Sequence, residues 1–271
     1  MTHASEYLAR RSRIRAVEMC SQARAAHIGS SLSVIDILSV LYCGEARVSP
    51  TQIDHPDRDC VIVSKGHAAA GTYAVLAEAG YFPPEWLDSY GMDGSLLGGH
   101  VTNSVPGVEL STGSLGHGLP FGTGLALAAQ RQGSDRQVYV VMSDGECDEG
   151  TTWEAALFAA HHNLGNVTVL VDRNGIQSLA ATEETLRLEP FGDKWRAFGW
   201  RVIEVDGHDH VQLASALHEA SLPDEAPTAI ICRTIKGKGV SFMENTVVWH
   251  YRPPTGEDMQ LALIELADGA R

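Results

Sequence analysis

The sequence lacks a long hydrophobic run, and this absence limits where the protein can reside. Its unbroken apolar stretches reach five or six residues, well short of the roughly 20 that a membrane-spanning helix needs. The N-terminal stretch MTHASEYLARRSRIR has no apolar signal core. We therefore expect a cytoplasmic protein without a membrane partner.

An excess of positive charge and paired cysteines are also missing. The formal net charge of −14 argues against nucleic acid as a partner, because binding to a phosphate backbone needs a basic surface. Small anions remain possible ligands, since one site can be positive on a negative protein. The five cysteines are scattered without a CxxC pair, which is typical of reduced, buried thiols. Cys147 has no base supplied by any neighbouring sequence feature and is interpreted as structural.

What is present is a globular composition with alternating strand-like and helix-like segments. Of the 271 residues, 44% are hydrophobic and 20% are charged. The alternation predicts an α/β fold with a mostly parallel sheet and helices on both faces, in a single domain covering residues 1–271. Strands are expected at 59–63, 138–142, 167–171, 200–205 and 226–232. Helices are expected at 5–26, 34–42, 64–79, 119–131, 191–198, 211–220 and 257–267, with a further helix between the second and third strands.

The central stretch 138–177 contains two of these strands, each followed by a polar turn. The first strand ends in Ser143-Asp144-Gly145-Glu146 and the second in Asp172-Arg173-Asn174-Gly175. Parallel strands joined by a crossover helix open at the same sheet edge, so Asp144 and Asn174 are expected to be neighbours. Their oxygen atoms suit a hard divalent cation that also holds a phosphate. The same dipeptides are ordinary turn formers, so the pair alone leaves both interpretations open.

Histidine and glycine are concentrated in the predicted turns. Five of the twelve histidines fall in turns rich in glycine or serine, namely His27, His67, His100, His117 and His250. No pair has HExxH or HxH spacing, which disfavours a zinc site. Turn histidines near neutral pKa suit proton transfer and hydrogen bonding to phosphate or hydroxyl groups. The glycine-rich stretch 113–118 permits close approach either of a ligand or of a packed helix.

These motifs together resemble the N-terminal, diphosphate-binding part of transketolase over nearly the whole chain. The matching pieces, in the order of the family, are HIGSS at 27–31, SKGH at 64–67, Gly99-His100, GSLGHG at 113–118, Asp144-Gly145-Glu146 with Asn174-Gly175-Ile176, and FMEN at 242–245 with Trp249-His250. The resemblance implies a thiamine diphosphate-binding fold, with thiamine diphosphate and Mg²⁺ or Ca²⁺ as cofactors. It also implies transfer of a two-carbon ketol unit from a ketose to an aldose, either of which can be a phosphate ester.

The resemblance assigns roles to individual residues. It implies that the metal is held by Asp144, Asn174 and the carbonyl of Ile176. The residues that it places against the cofactor are His67, Gly113, Leu115, Gly145, Glu146, Asn174, Ile176 and His250. The residues that it makes catalytic are His27, His100 and His250, which would face the sugar, and Glu149, which would reach the activating glutamate of a partner domain.

The sequence departs from full-length transketolase because it stops where the pyrimidine-binding domain would begin. The resemblance therefore implies one subunit of a split transketolase that needs a separate C-terminal subunit, in an α2β2 assembly. Val101 stands where proline commonly follows the Gly-His pair, which affects the pose of His100 and the choice of sugar.

Two alternative functions stay open at this point. One is another thiamine diphosphate reaction, similar to 1-deoxyxylulose-phosphate synthase or to the decarboxylating component of a 2-oxo-acid dehydrogenase. The other is a cofactor-binding subunit without catalytic activity.

Overall fold

The computed structural model describes residues 2–268, apart from the side chain of Asp268, and contains a five-stranded sheet. The strands are β1 Cys60–Val63, β2 Val138–Ser143, β3 Val167–Arg173, β4 Arg201–Asp206 and β5 Thr228–Arg233. Their order across the sheet is β1-β2-β3-β5-β4, and every neighbouring pair is parallel. The predicted α/β fold with a parallel sheet is confirmed.

The described residues form nine α-helices, most of which lie near their predicted positions. They are α1 Thr2–Gln22, α2 Ile28–Val40, α3 Ala69–Glu78, α4 Gly118–Gln132, α5 Gly150–His161, α6 Thr182–Thr185, α7 Phe191–Ala197, α8 His210–Ser221 and α9 Glu257–Asp268. Short 3-10 turns at 66–68 and 145–148 lead from β1 into α3 and from β2 into α5.

Alternate strand residues feed two hydrophobic cores, one on each face of the sheet. Val61 and Val141 point into a core shared with α1, α2, α3, α8 and α9. Ile62 and Val140 point into a second core that contains residues of α4, α5 and α7. β1, β2, β3 and β5 are almost entirely buried, as parallel strands covered on both faces are, whereas the edge strand β4 is partly exposed.

Several element boundaries differ from the sequence-based expectation by a few residues, and tertiary contacts explain two of them. The second helix was expected to begin at Val34 after a serine cap, but α2 begins at Ile28 with His27 as its N-cap. The serines instead lie inside the helix, where the Ser33 hydroxyl hydrogen-bonds to the Ser30 carbonyl and to Asp172. The third strand was expected to end at Val171, but β3 continues to Arg173 because Asp172 and Arg173 pair with β5. Tertiary contacts decide both boundaries.

One helical stretch among the described residues is apolar and long enough to cross a membrane by length and composition. It covers Ile28–Glu45, and 78% of it is buried in the fold. The core helix of a globular protein meets the same criterion, so this stretch is weak support for a membrane span.

Candidate functional site

A cavity of about 230 Å³ opens at the edge of the sheet where the strands end. In parallel α/β sheets, ligands bind in such crevices at the carboxyl ends of the strands. The turns after β1, β2, β3 and β5 all contribute to its wall. The residues that line it are His27, Ser30, His67, His100, Gly113, Leu115, Ser143, Asp144, Gly145, Asn174, Ile176, Gln177, Ser178, Lys236 and His250.

Four of the five turn histidines meet in this cavity. The ring centroid of His27 lies 5.3 Å from that of His67, 5.8 Å from that of His100 and 4.9 Å from that of His250. His27 has a left-handed backbone conformation with φ of 73°, and its N–H donates to the His250 carbonyl at 2.6 Å. A non-glycine residue in this conformation is uncommon and is held by its surroundings. The fifth turn histidine, His117, lies outside the cavity wall.

Three of these histidines have pKa values below the ordinary value for the side chain. Burial is the largest cause in each case and lowers the pKa of His27 to about 4 and that of His250 to about 3. Burial and the nearby Lys65 ammonium hold the pKa of His67 well below its usual range. These rings are therefore neutral near pH 7, so each has one donor and one acceptor nitrogen.

Lys236 brings a positive charge to the cavity wall, and the sequence interpretation did not include it. Its Nζ donates to the carbonyls of Ile176 and Gln177 at 3.0 and 2.9 Å and lies 3.0 Å from His250 Nδ1. The ammonium can only donate, so His250 accepts at Nδ1 and carries its proton on Nε2. Burial, followed by the charge of Lys65, lowers the pKa of Lys236 to about 8.

The predicted metal ligands lie side by side in the cavity wall. The buried Asp144 carboxylate accepts the N–H groups of Gly145 at 2.8 Å and Gly175 at 2.7 Å. Burial, then the neighbouring Asp172 charge, raises the pKa of Asp144. Asn174 donates its amide N–H to Asp172 at 3.2 Å, which turns the amide oxygen towards the Ile176 N–H at 3.1 Å.

These oxygen donors fit a hard divalent cation. A carboxylate, an amide oxygen and a backbone carbonyl are the ligand types that Mg²⁺ and Ca²⁺ prefer. Within residues 2–268, no group of three or more histidine, cysteine, aspartate or glutamate side chains is arranged to hold a metal. The donor set therefore favours a cation that takes mixed oxygen ligands rather than a zinc-type side-chain cluster.

A buried ion pair supports the floor of the cavity. Lys65 is fully buried and pairs with Asp172, which also accepts the hydroxyls of Ser33 and Thr234. Lys65 Nζ also donates to the carbonyl of Ser30 at 3.1 Å. Asp172 in turn accepts the Asn174 amide. This network fixes the orientation of Asn174 from below, because a buried charged pair tolerates few alternative geometries.

The glycine-rich loop serves both roles that its sequence left open. Gly113 lines the cavity, and a Cβ there would meet the His100 ring at 3.4 Å. Gly118 serves packing, since a Cβ there would lie 2.3 Å from Ser64 Oγ. Gly116 is equally enclosed, with a hypothetical Cβ 2.4 Å from Thr151 Oγ1.

The two predicted glutamates lie outside the cavity wall. Glu146 is buried, and its carboxylate accepts the Ser64 hydroxyl, the Gly116 N–H at 2.9 Å and the Ser143 N–H at 3.3 Å. It therefore ties the glycine loop to the end of β2, and burial raises its pKa. Glu149 is exposed at the N-terminus of α5. Its expected contact with a partner stays a prediction.

All predicted site residues other than these two glutamates line the cavity. The sequence prediction did not include five residues that line the cavity, namely Ser30, Ser143, Gln177, Ser178 and Lys236. It also missed the supporting Lys65, although Lys65 lies within the SKGH stretch that the sequence analysis singled out. The KGKG stretch that begins at Lys236 follows a predicted strand, and this position was a signal that could have identified Lys236.

Comparison with known proteins gives a consistent family assignment. Residues 4–266 match the family model described as transketolase, thiamine diphosphate binding domain. The chain is 45% identical over 243 residues to a subunit of the apulose-4-phosphate transketolase of Actinobacillus succinogenes, covering 89% of this chain and 88% of that protein. It is 40% identical over 241 residues to the 6-deoxy-6-sulfo-D-fructose transketolase subunit SqwG of a Clostridium species, with coverage of 89% and 88%.

Solved structures extend the similarity to complete transketolases. The transketolase from Leishmania mexicana superimposes with a TM-score of 0.89 at 31% identity, covering 97% of this chain and 41% of that one. Transketolase from Pichia stipitis, in its complex with sedoheptulose-7-phosphate, gives a TM-score of 0.91 at 29% identity, with coverage of 97% and 41%. This chain thus spans about two-fifths of the length of these solved transketolases.

Proposed function

Because this chain belongs to the transketolase family and matches its thiamine diphosphate-binding domain, we propose that it is one subunit of a two-subunit transketolase. The complex transfers a two-carbon ketol unit from a ketose to an aldose. The observation that carries this proposal is the cavity in which four histidines face the oxygen donors of Asp144, Asn174 and Ile176.

The cation and the cofactor would be held at the ends of β2 and β3. Asp144, the amide oxygen of Asn174 and the Ile176 carbonyl would bind Mg²⁺ or Ca²⁺, and the diphosphate would complete the coordination shell. Lys236 would offset part of the negative charge of the diphosphate. Bound thiamine diphosphate supplies the electron sink for an acyl carbanion that no side chain can stabilise.

The neutral histidines would handle the protons of the sugar. A neutral imidazole has one donor and one acceptor nitrogen, and the three lowered pKa values keep these rings in that form. Because Nδ1 of His250 accepts from Lys236, His250 would act towards the sugar as a donor through Nε2. His27, His100 and His250 are therefore proposed to contact the hydroxyl and carbonyl groups of the substrate.

The donor is proposed to be a ketose with an anionic end group. Two similar subunits are named for transketolases of apulose-4-phosphate and 6-deoxy-6-sulfo-D-fructose, and each of these sugars has a phosphate or a sulfonate. Both relatives are subunits, which supports a separate partner chain for this protein as well. An α2β2 stoichiometry and a cytoplasmic location stay predictions, to be checked by light scattering of the complex and by cell fractionation.

Reconstitution tests the proposed function. The chain is purified together with its partner subunit, then incubated with thiamine diphosphate, Mg²⁺ and an aldose phosphate. The donor panel contains apulose-4-phosphate, 6-deoxy-6-sulfofructose, xylulose-5-phosphate and fructose-6-phosphate. Mass spectrometry is expected to detect an acceptor lengthened by two carbons with at least one donor.

The same complex, assayed also with a 2-oxo acid in place of the donor sugar, separates the alternatives. Decarboxylation of a 2-oxo acid without ketol transfer from any sugar would replace the proposal with the 2-oxo-acid reaction. Cofactor binding without turnover of any substrate in the panel would favour a non-catalytic subunit.

A further inference from the structure

Arg173, the last residue of β3, contacts the predicted metal carboxylate directly. Its side chain is only 12% exposed. Nη1 donates to Asp144 Oδ2 at 3.1 Å and to Thr182 Oγ1 at 2.7 Å, and Nη2 donates to Glu183 at 3.1 Å and Glu189 at 3.0 Å. The guanidinium also lies over the Phe191 ring, 5.4 Å from its centroid. With a partner in each of these directions, the guanidinium has little freedom to leave Asp144.

The two oxygens of Asp144 consequently have different surroundings. Oδ2 accepts two hydrogen bonds, from the Gly175 N–H at 2.7 Å and from Arg173 at 3.1 Å. Oδ1 accepts one, from the Gly145 N–H at 2.8 Å. A carboxylate oxygen has about two lone-pair directions. Oδ2 therefore has both directions occupied, whereas Oδ1 keeps one for another ligand.

This asymmetry matters because divalent cations differ in how they use carboxylates. Ca²⁺ takes about six to eight oxygens and often binds both oxygens of one carboxylate, whereas Mg²⁺ takes about six at short distance in octahedral geometry. A carboxylate restricted to one oxygen suits Mg²⁺. It removes a ligand that Ca²⁺ could use.

We propose that Arg173 is a specificity-determining residue for the cation, which occupies Asp144 Oδ2 and so favours Mg²⁺ over Ca²⁺. The inference rests on the proposed function for the identity of the site as a cation site. Arg173 acts through Asp144 and is a positioning residue. If Arg173 acted only through its charge, its removal would strengthen the binding of both metals by a similar factor. The ratio of the two affinities separates these roles.

The test is a competition experiment on the complex of this chain with its partner subunit, with thiamine diphosphate and without sugar. Mn²⁺ is the probe, because its free hexahydrate gives a strong electron paramagnetic resonance signal that is lost on binding. Mg²⁺ and Ca²⁺ are then titrated separately to release it. Sites that persist in Asp144→Ala are subtracted as background.

In Arg173→Met, the preference for Mg²⁺ over Ca²⁺ is expected to fall about tenfold relative to the wild type, since Oδ2 becomes available for two-oxygen coordination. Arg187→Met is the matched control. Arg187 is an exposed arginine in the neighbouring segment, so its loss removes the same charge and should leave the ratio unchanged.

Arg173→Lys keeps the proposal testable if Arg173→Met does not fold, as judged by circular dichroism. Lysine cannot reproduce the fork that contacts Asp144 and Thr182 while also reaching both glutamates, so the ratio should fall by a smaller factor of about three. An unchanged ratio in the folded variants, or equal changes in both affinities, would overturn the proposal. So would a wild-type complex without Asp144-dependent Mn²⁺ binding.

The result is independent of turnover, because no sugar is present. A complex that shows the shift in ratio but transfers no ketol would support the inference and contradict the proposed function. A complex that transfers ketol but shows an unchanged affinity ratio in Arg173→Met would support the proposed function and contradict the inference about Arg173.

Discussion

At the scale of single residues, the site contains a buried carboxylate, Asp144, whose charge is balanced by neighbouring groups. Asp144 combines burial with a neighbouring carboxylate, Asp172, and both raise its pKa. Two backbone N–H groups and Arg173 offset that effect. In the proposed site, a bound cation would supply further compensation.

Asp144→Ala is therefore expected to abolish binding of thiamine diphosphate with Mg²⁺, with affinity falling at least about a hundredfold, because the charged ligand is lost. Quenching of tryptophan fluorescence during cofactor titration of the complex measures this. Glu219→Gln is the control, since Glu219 is exposed near the end of α8 and its change should leave the affinity as in the wild type. Wild-type affinity in Asp144→Ala would contradict the metal assignment.

The lowered pKa of His27 leads to a prediction about acid stability. The folded protein keeps His27 neutral down to about pH 4, whereas the unfolded chain protonates it below about pH 6.5. Between these values the unfolded state binds more protons, so stability falls as the pH falls. Without cofactor, the wild type should lose roughly 1 to 2 kcal/mol through this residue between pH 7 and pH 5.

Urea unfolding at both pH values measures the difference. His27→Asn keeps a residue that tolerates the left-handed backbone and should show the smaller loss. His218→Asn, at an exposed position of α8, should lose as much stability as the wild type. The same pH dependence in His27→Asn and in the wild type would refute the prediction.

The residue scale also shows where sequence reasoning reached its limit. The strand ends predicted that Asp144 and Asn174 would be neighbours, and the resemblance to transketolase implied that four of the turn histidines would join them. It could not predict the direction of Glu146, whose carboxylate turns to Ser64 and the Gly116 N–H. Those partners come from distant parts of the chain. Local pattern fixes where a backbone turns, whereas tertiary partners fix where a buried side chain points.

At the scale of elements, α4 positions the glycine loop by packing closely on the sheet. A Cβ on Gly122 would lie 2.8 Å from Val140 Cγ2 in β2, whereas a Cβ on Gly124 would meet nothing within 4 Å. The two glycines are two residues apart in the same helix and differ in what faces them. Comparing an alanine substitution at each position therefore distinguishes the effect of packing against β2 from the effect of helix propensity.

Gly122→Ala should destabilise the isolated chain by about 1 to 3 kcal/mol, because the added methyl group overpacks the interface with β2. Gly124→Ala should stabilise it by up to about 1 kcal/mol through helix propensity. Denaturant unfolding measures both. Equal changes in the two variants would show that α4 does not pack on β2 as described.

Element boundaries were predicted less well than element types. The serines that suggested a cap before Val34 are buried inside α2, where Ser33 bonds to Asp172 of β3. A serine run is a good helix start in isolation. Here the contact with β3 and the left-handed His27 move the start to Ile28. The sheet order was also beyond the sequence pattern, since β5 lies between β3 and β4.

At the scale of the whole molecule, the proposed reaction needs a carboxylic acid in addition to the groups that line the described part of the cavity. Asp144 is the only carboxylate that lines the cavity within residues 2–268, and its oxygens already hold Gly145, Gly175 and Arg173. The wall thus offers no free carboxylic acid to exchange protons with the cofactor.

The isolated chain with thiamine diphosphate and Mg²⁺ should therefore transfer no two-carbon unit, and activity should appear when the partner subunit is added. The rate should rise with partner concentration and then saturate, because each partner completes one site. A coupled assay of the ketose product measures this. A partner mixed with the Asp144→Ala chain should stay inactive, which shows that the activity needs this cavity. Turnover by the isolated chain at the rate of the complex would show instead that its own residues complete the catalyst.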